Sequence, residues 1–152
     1  HPLGLSSREA EALRGLGPRL SDMCAQLAGY GLPHTLEHGD LDIGNAFIQD
    51  GRCVYTDWSD SSVGHPFFTP ANICGWHRDS DAMRDAYLES WTDFGGMSGL
   101  REAYQLAEPL IALHQAAGYH RYILPRVEPS ARWELEGYLP VCLKRLLRLL
   151  NR

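Results

Sequence analysis

The stretch that decides the reading is His38-Gly39-Asp40-Leu41-Asp42-Ile43-Gly44-Asn45, followed ten residues later by Thr56-Asp57-Trp58-Ser59-Asp60. His38, Asp40 and Asn45 fit the pattern H-x-D-x-x-x-x-N. Between the two segments run Asn45-Ala-Phe-Ile-Gln49 and Arg52-Cys-Val-Tyr-Thr56, two β-rich stretches separated by Asp50-Gly51. Asp-Gly between such runs is a strong hairpin signal, because both turn positions of the tight primed turn need positive φ. That turn sets the register. Gln49 faces Arg52, Ile48 faces Cys53, Phe47 faces Val54 and Ala46 faces Tyr55, so Asn45 meets Thr56. Directly opposed Cα atoms lie roughly 4.5–5.5 Å apart. The spacing therefore predicts that Asn45 and Asp57 lie together at the open end of a hairpin, with Asp40 returned there by the loop from His38 to Gly44.

Those residue types suit one chemistry. Phosphoryl transfer needs a carboxylate to orient the acceptor hydroxyl and take its proton, and oxygen ligands that hold Mg²⁺ on the phosphates. Mg²⁺ favours a few carboxylate or amide oxygens with water in the remaining positions. Asp40 can be the first part, and Asn45 and Asp57 the second. A lone H-x-D-x-x-x-x-N arises by chance on the order of once per hundred chains of this length. The specificity of the reading therefore rests on the added hairpin and on the aspartate that closes it.

These residues resemble the aminoglycoside phosphotransferase family, which has a protein-kinase-like fold. Its catalytic segment typically reads H-G-D-L-H-x-G-N, then a short hairpin, then D-W; here the segments are HGDLDIGN, AFIQDGRCVY and TDWSD. Val63-Gly64-His65-Pro66-Phe67-Phe68 is similar to the segment after the metal aspartate in bacterial members. The strong likeness covers Leu36 to Phe68. Carried over by position, it implies that Asp40 is the catalytic aspartate, that Asn45 and Asp57 hold Mg²⁺ on ATP, and that His38 supports the catalytic loop from within. Asp42 replaces a histidine common in the family, and Thr69 stands near a common aspartate.

The resemblance further implies a small nucleotide-gripping lobe before the motif, with a phosphate-contacting lysine. No glycine-rich strand-turn-strand precedes His38, and the one lysine, Lys144, lies far downstream. The chain also opens on His1 rather than Met. The expectation is an excised C-terminal catalytic lobe, residues 1–152 as a single domain, that partners an N-terminal lobe of the same chain and is inactive alone. Its acceptor would be a hydroxyl of a small molecule. A pseudokinase or regulatory binding module is one rival, disfavoured because a decayed site would be expected to lose one of Asp40, Asn45 and Asp57. A metal-dependent phosphohydrolase using Asp40, Asp42, Asp57 and His65 is another, but two-metal chemistry usually needs more bridging carboxylates.

The rest of the chain sets a mostly helical α+β frame. Ser6-Ser7-Arg8-Glu9 reads as a capping box. Leu13, Leu16, Leu20, Met23 and Leu27 then recur at helical spacing, interrupted by Gly15, Gly17 and Pro18, which predicts two short helices. Met83, Tyr87, Trp91 and Phe94 form a stripe behind a cap at Asp79 or Ser80. Leu100 to His114 forms another behind Ser98, and Pro109 should kink or break it. A last helix starts near Pro140, with Cys142, Leu146 and Leu149 inward and Lys144, Arg145 and Arg148 outward.

Composition excludes several functions. With 14 basic and 19 acidic residues the net charge is −5, which argues against non-specific nucleic-acid binding. No apolar run is long enough for a membrane span. The scattered Cys24, Cys53, Cys74 and Cys142 contain no CxxC pair, and reduced thiols in a cytoplasmic protein are expected. The acidic run Asp79, Asp81, Asp85, Glu89 and Asp93 reads as a solvated helix face before it reads as a cation trap. Trp76, Tyr87 and Trp91 read as core before they read as an acceptor pocket. His34, His65, His77, His114 and His120 show no metal-binding helical pair.

Overall fold

A computed structural model describes residues 4–74 and 80–152, so Trp76, His77 and Asp79 lie outside the described residues. Helix is the dominant element, as expected, joined by small antiparallel strand pairs.

The helices are α1 (Ser7–Arg14), α2 (Gly17–Ala28), α3 (Phe68–Cys74), α4 (Ser80–Glu89), α5 (Met97–Gly118), α6 (Arg132–Leu135) and α7 (Tyr138–Leu150). The strands are β1 (Thr35–Glu37), β2 (Ala46–Gln49), β3 (Arg52–Tyr55) and β4 (Ser62–Gly64). The chain divides into two compact units: the part up to Leu27 together with Glu108–Arg152, and Ala28–Ala107.

In the first unit the capping box forms as expected. Ser6 Oγ accepts from the Glu9 amide at 3.2 Å, and Glu9 Oε2 accepts from the Ser6 amide at 2.7 Å. Leu13, Leu16, Leu20 and Met23 pack on Ala112, Leu146 and Leu150. Arg145, expected on the polar face of the last helix, is instead buried at 3% exposure. Charge alone would assign this position to solvent.

In the second unit the core centres on Phe67, which is fully buried. Its ring meets Tyr87, Trp91 and Tyr104 at centroid distances of 6.1, 5.9 and 5.9 Å. Burying such a ring contributes about 1.5–3 kcal/mol. Tyr87 and Trp91 therefore belong to the core. The stripe from Met83 to Phe94 is not one helix: α4 ends at Glu89, and Trp91 and Phe94 are carried by the turns after it. Asp81 and Asp85 are neutralised locally, Asp85 by Arg84 at 2.8 Å and Arg101 at 2.9 Å, and Asp81 by Arg84 at 2.9 Å.

Three further expectations need correction. Pro109 does not break its helix, since α5 runs unbroken through 22 residues. Ser98 lies inside that helix rather than before it. The two compact units part between Ala107 and Glu108, one residue before the position where Pro109 removes a backbone donor. The sheet content also exceeds one hairpin. β2 and β3 pair in the expected register, Ala46 with Tyr55, Phe47 with Val54, Ile48 with Cys53 and Gln49 with Arg52. A second antiparallel pair joins β1 to β4, Thr35 to Gly64, Leu36 to Val63 and Glu37 to Ser62. It closes the chain from His38 to Ser61 into a single excursion.

Candidate active site

The site is built at the open end of the β2–β3 hairpin. Asp50 and Gly51 take φ of 50° and 72°, the left-handed pair that the tight turn requires. At the other end the Thr56 amide donates to Asn45 O at 3.0 Å, so the ladder extends one rung beyond the strands. Asn45 ends a short 3₁₀ turn, Ile43–Asn45, capped by Asp42. The Asp42 carboxylate accepts from the Gly44 amide at 2.6 Å. An aspartate here thus shapes the loop directly.

The three predicted chemical residues are linked through this frame. Asn45 Nδ2 donates to the main-chain oxygen of Asp40 at 2.8 Å, which fixes the loop on which Asp40 stands. Asp57 comes after the hairpin in left-handed conformation, φ 59° and ψ 62°, an uncommon state for a residue with a side chain. Its Oδ1 accepts from Ser59 Oγ at 2.9 Å. Such strain is concentrated at functional positions.

His38 is 3% exposed. Its Nε2–H donates to Thr56 O at 2.8 Å, and its ring lies 4.6 Å from that of Trp58, centroid to centroid. Trp58 Nε1–H in turn donates to Tyr55 O at 3.0 Å. His38 thus ties the start of the Asp40 loop to the end of β3, a supporting position. Gly39 makes this closeness possible. Its φ is +84°, and a Cβ there would lie 2.2 Å from Asp60 O. The two arms of the site touch backbone to backbone.

The electrostatics result from that packing. Desolvation raises the Asp40 pKa above the ordinary 3.8, and the negative fields of Asp42, Asp60 and Asp57 raise it further. Among the described residues no basic side chain forms an ion pair with any of the four. Among the described residues, too, no three His, Cys, Asp or Glu side chains gather into a ready-made metal cage. The donor set nevertheless fits a hard divalent cation. Asn45 uses its amide nitrogen on Asp40, leaving Oδ1 as an acceptor, and Asp57 uses one oxygen on Ser59, leaving the other.

His65 stands apart from this cluster. Its Nδ1 accepts from the Phe67 amide at 3.2 Å, and its ring packs 5.1 Å from that of Phe67. Burial, aided by His34, lowers its pKa to about 4. Its interactions are those of a neutral core histidine.

Sequence reasoning missed two residues of the frame. Gly39 was legible only as part of a motif, and its contact with Asp60 spans 21 positions. Glu37 is 7% exposed and was not singled out at all.

No family model, curated protein or solved structure matches the chain. Among the described residues no helix is long and apolar enough to cross a membrane.

Proposed function

We propose that this chain is the catalytic and metal-holding part of an ATP-dependent phosphotransferase that acts on a hydroxyl of a small molecule. It resembles the C-terminal lobe of aminoglycoside phosphotransferases and other protein-kinase-like enzymes. One observation carries the reading. The Asn45 side chain holds the Asp40 loop, and its main chain pairs with the strand end that delivers Asp57. A base and two oxygen ligands then share one end of one hairpin.

In this reading Asp40 orients the acceptor hydroxyl and takes its proton as the hydroxyl oxygen bonds to the γ-phosphorus of ATP, while the bond from that phosphorus to the β–γ bridging oxygen breaks and ADP leaves. Asn45 and Asp57 would hold Mg²⁺, which neutralises charge on the phosphates of ATP. His38 supports the loop. The raised pKa of Asp40 suits a base, because proton affinity must be sufficient to help the attacking oxygen. The acidic surroundings suit a cation brought in with the nucleotide. The partner is a nucleotide-gripping lobe, and no nucleic acid or membrane surface is involved.

The chain alone, given Mg-ATP and a panel of hydroxyl acceptors, should turn over far below the typical kinase range of roughly 1–100 s⁻¹, since half of the positioning comes from the partner lobe. In a protein carrying both parts, Asp40→Ala should reduce kcat with little change in nucleotide affinity, because a positioned base acts in the transition state. Asp57→Asn, which tolerates the left-handed backbone, should weaken Mg-nucleotide binding as well. Identical kinetic profiles would contradict these separate roles.

A further inference from the structure

β1 is inside out. In a half-buried strand the apolar side chain normally faces the core and the polar one faces water. Here Leu36 is 63% exposed, and so is much of its cross-strand partner Val63, at 75%, whereas Glu37 is 7% exposed. A buried carboxylate is costly unless hydrogen-bonded. Glu37 is satisfied on both oxygens: Thr35 Oγ1 donates to Oε1 at 2.6 Å, and the Thr69 amide donates to Oε2 at 2.8 Å. No basic side chain among the described residues pairs with it.

The location matters as much as the burial. Glu37 sits on the last rung of the β1–β4 pair, opposite Ser62, where the excursion that carries the site leaves the sheet. Thr69 lies in the first turn of α3, after the excursion has returned. Glu37 therefore bonds the outgoing arm of the loop to the element that comes after the incoming arm. The next residue is His38, whose ring reaches Thr56.

We infer that Glu37 is a positioning residue, whose buried carboxylate locks the base of the Asp40 loop by joining β1 to the start of α3. It acts through His38 and the loop and touches no reacting atom. An apolar side chain at this position would fill the space but leave the Thr69 amide without an acceptor. The inference stands on packing rather than on phosphoryl transfer, so its test can fail while the proposed function holds.

The test reads the ring N–H of His38 by ¹H–¹⁵N NMR in the 152-residue chain, assigned by its loss in His38→Ala. In the wild-type chain this proton, buried and bonded to Thr56 O, should exchange slowly. Glu37→Ala should speed that exchange by about tenfold or more, the change expected when a hydrogen bond to a charged group is lost and local opening increases. Glu37→Gln should restore slow exchange, since its amide oxygen can still accept from Thr69. Thr35→Val, nearly isosteric and safe for folding, should give a smaller acceleration and keeps the question answerable if Glu37→Ala does not fold. Unchanged His38 exchange in a folded Glu37→Ala or in Thr35→Val would overturn the inference. So would a Glu37→Gln variant that behaves like Glu37→Ala.

Discussion

Asp40, Asp42, Asp57 and Asp60 crowd one small region, and the consequence falls on Asp40. Desolvation and then like charge raise its pKa above 3.8. The sign is definite: the folded chain favours the protonated form, so this group costs stability as pH rises above its unfolded value and costs nothing well below it. Asp60→Asn removes one of the repelling charges. The Asp40 carboxyl, followed by ¹³C chemical shift, should then titrate at lower pH, and the acid limb of any phosphotransferase activity should move the same way. An unchanged Asp40 titration would mean that Asp60 does not act on it. Gly39 supplies a second residue-scale test. Gly39→Ala should cost about 1–2 kcal/mol for the left-handed backbone alone. The contact with Asp60 O adds to this, so the melting temperature should fall and the His38 bond to Thr56 should loosen. Wild-type stability in that variant would contradict the close approach of the two arms. His65 gives an opposite pH signature. Its pKa falls from 6.5 to about 4, so the stability it contributes is present above 6.5 and lost as pH falls toward 4. His65→Asn, which keeps an acceptor for the Phe67 amide, should flatten the dependence of melting temperature on pH in that window.

At the scale of elements, the hairpin was legible because its turn chemistry is local. Asp50-Gly51 fixes a two-residue loop, and a two-residue loop fixes every rung of the ladder beyond it. The capping box and the stripe from Leu13 to Met23 were legible for the same reason, as both depend on residues three or four apart. The β1–β4 pair was not. Each strand has three residues, 24 residues separate them, and Leu36 and Val63 face outward, so no alternation marks the buried side. Pro109, expected to kink or break its helix, does not break it, because a missing donor weakens a helix without deciding its fate and α5 has buried residues on both sides of the proline. Helix packing makes its own prediction. Asp85 of α4 receives hydrogen bonds from Arg101 of α5 and from Arg84, which hold its pKa down to about 2. The stability from these bonds is full above the ordinary 3.8 and is lost as pH falls through about 2. Asp85→Asn should remove that acid-sensitive component from thermal melts, with only a modest effect at neutral pH because the pair is exposed to solvent.

At the scale of the molecule, the residues proposed to carry chemistry were legible because they fall within one stretch of about twenty residues. The frame that orients them was harder to read because Glu37, Gly39 and Thr69 act across the ends of that stretch. The β2–β3 hairpin presents Phe47 and Ile48 to solvent at 53% and 76% exposure. An isolated two-stranded hairpin is marginal in water. The bonds from His38, Trp58 and Thr56 around its open end are therefore what fix the geometry of the proposed site. In the proposed site Asn45 and Asp57 would hold a divalent cation presented with a nucleotide, beside Asp40 as the base. Mn²⁺ with ADP tests this most directly, because a paramagnetic ion broadens the amide resonances nearest to it even at weak occupancy. Selective broadening is expected across residues 39–45 and 56–60, lost in Asn45→Ala and in Asp57→Asn. Broadening spread over the acidic face of α4, or persisting at residues 39–45 in both variants, would contradict it.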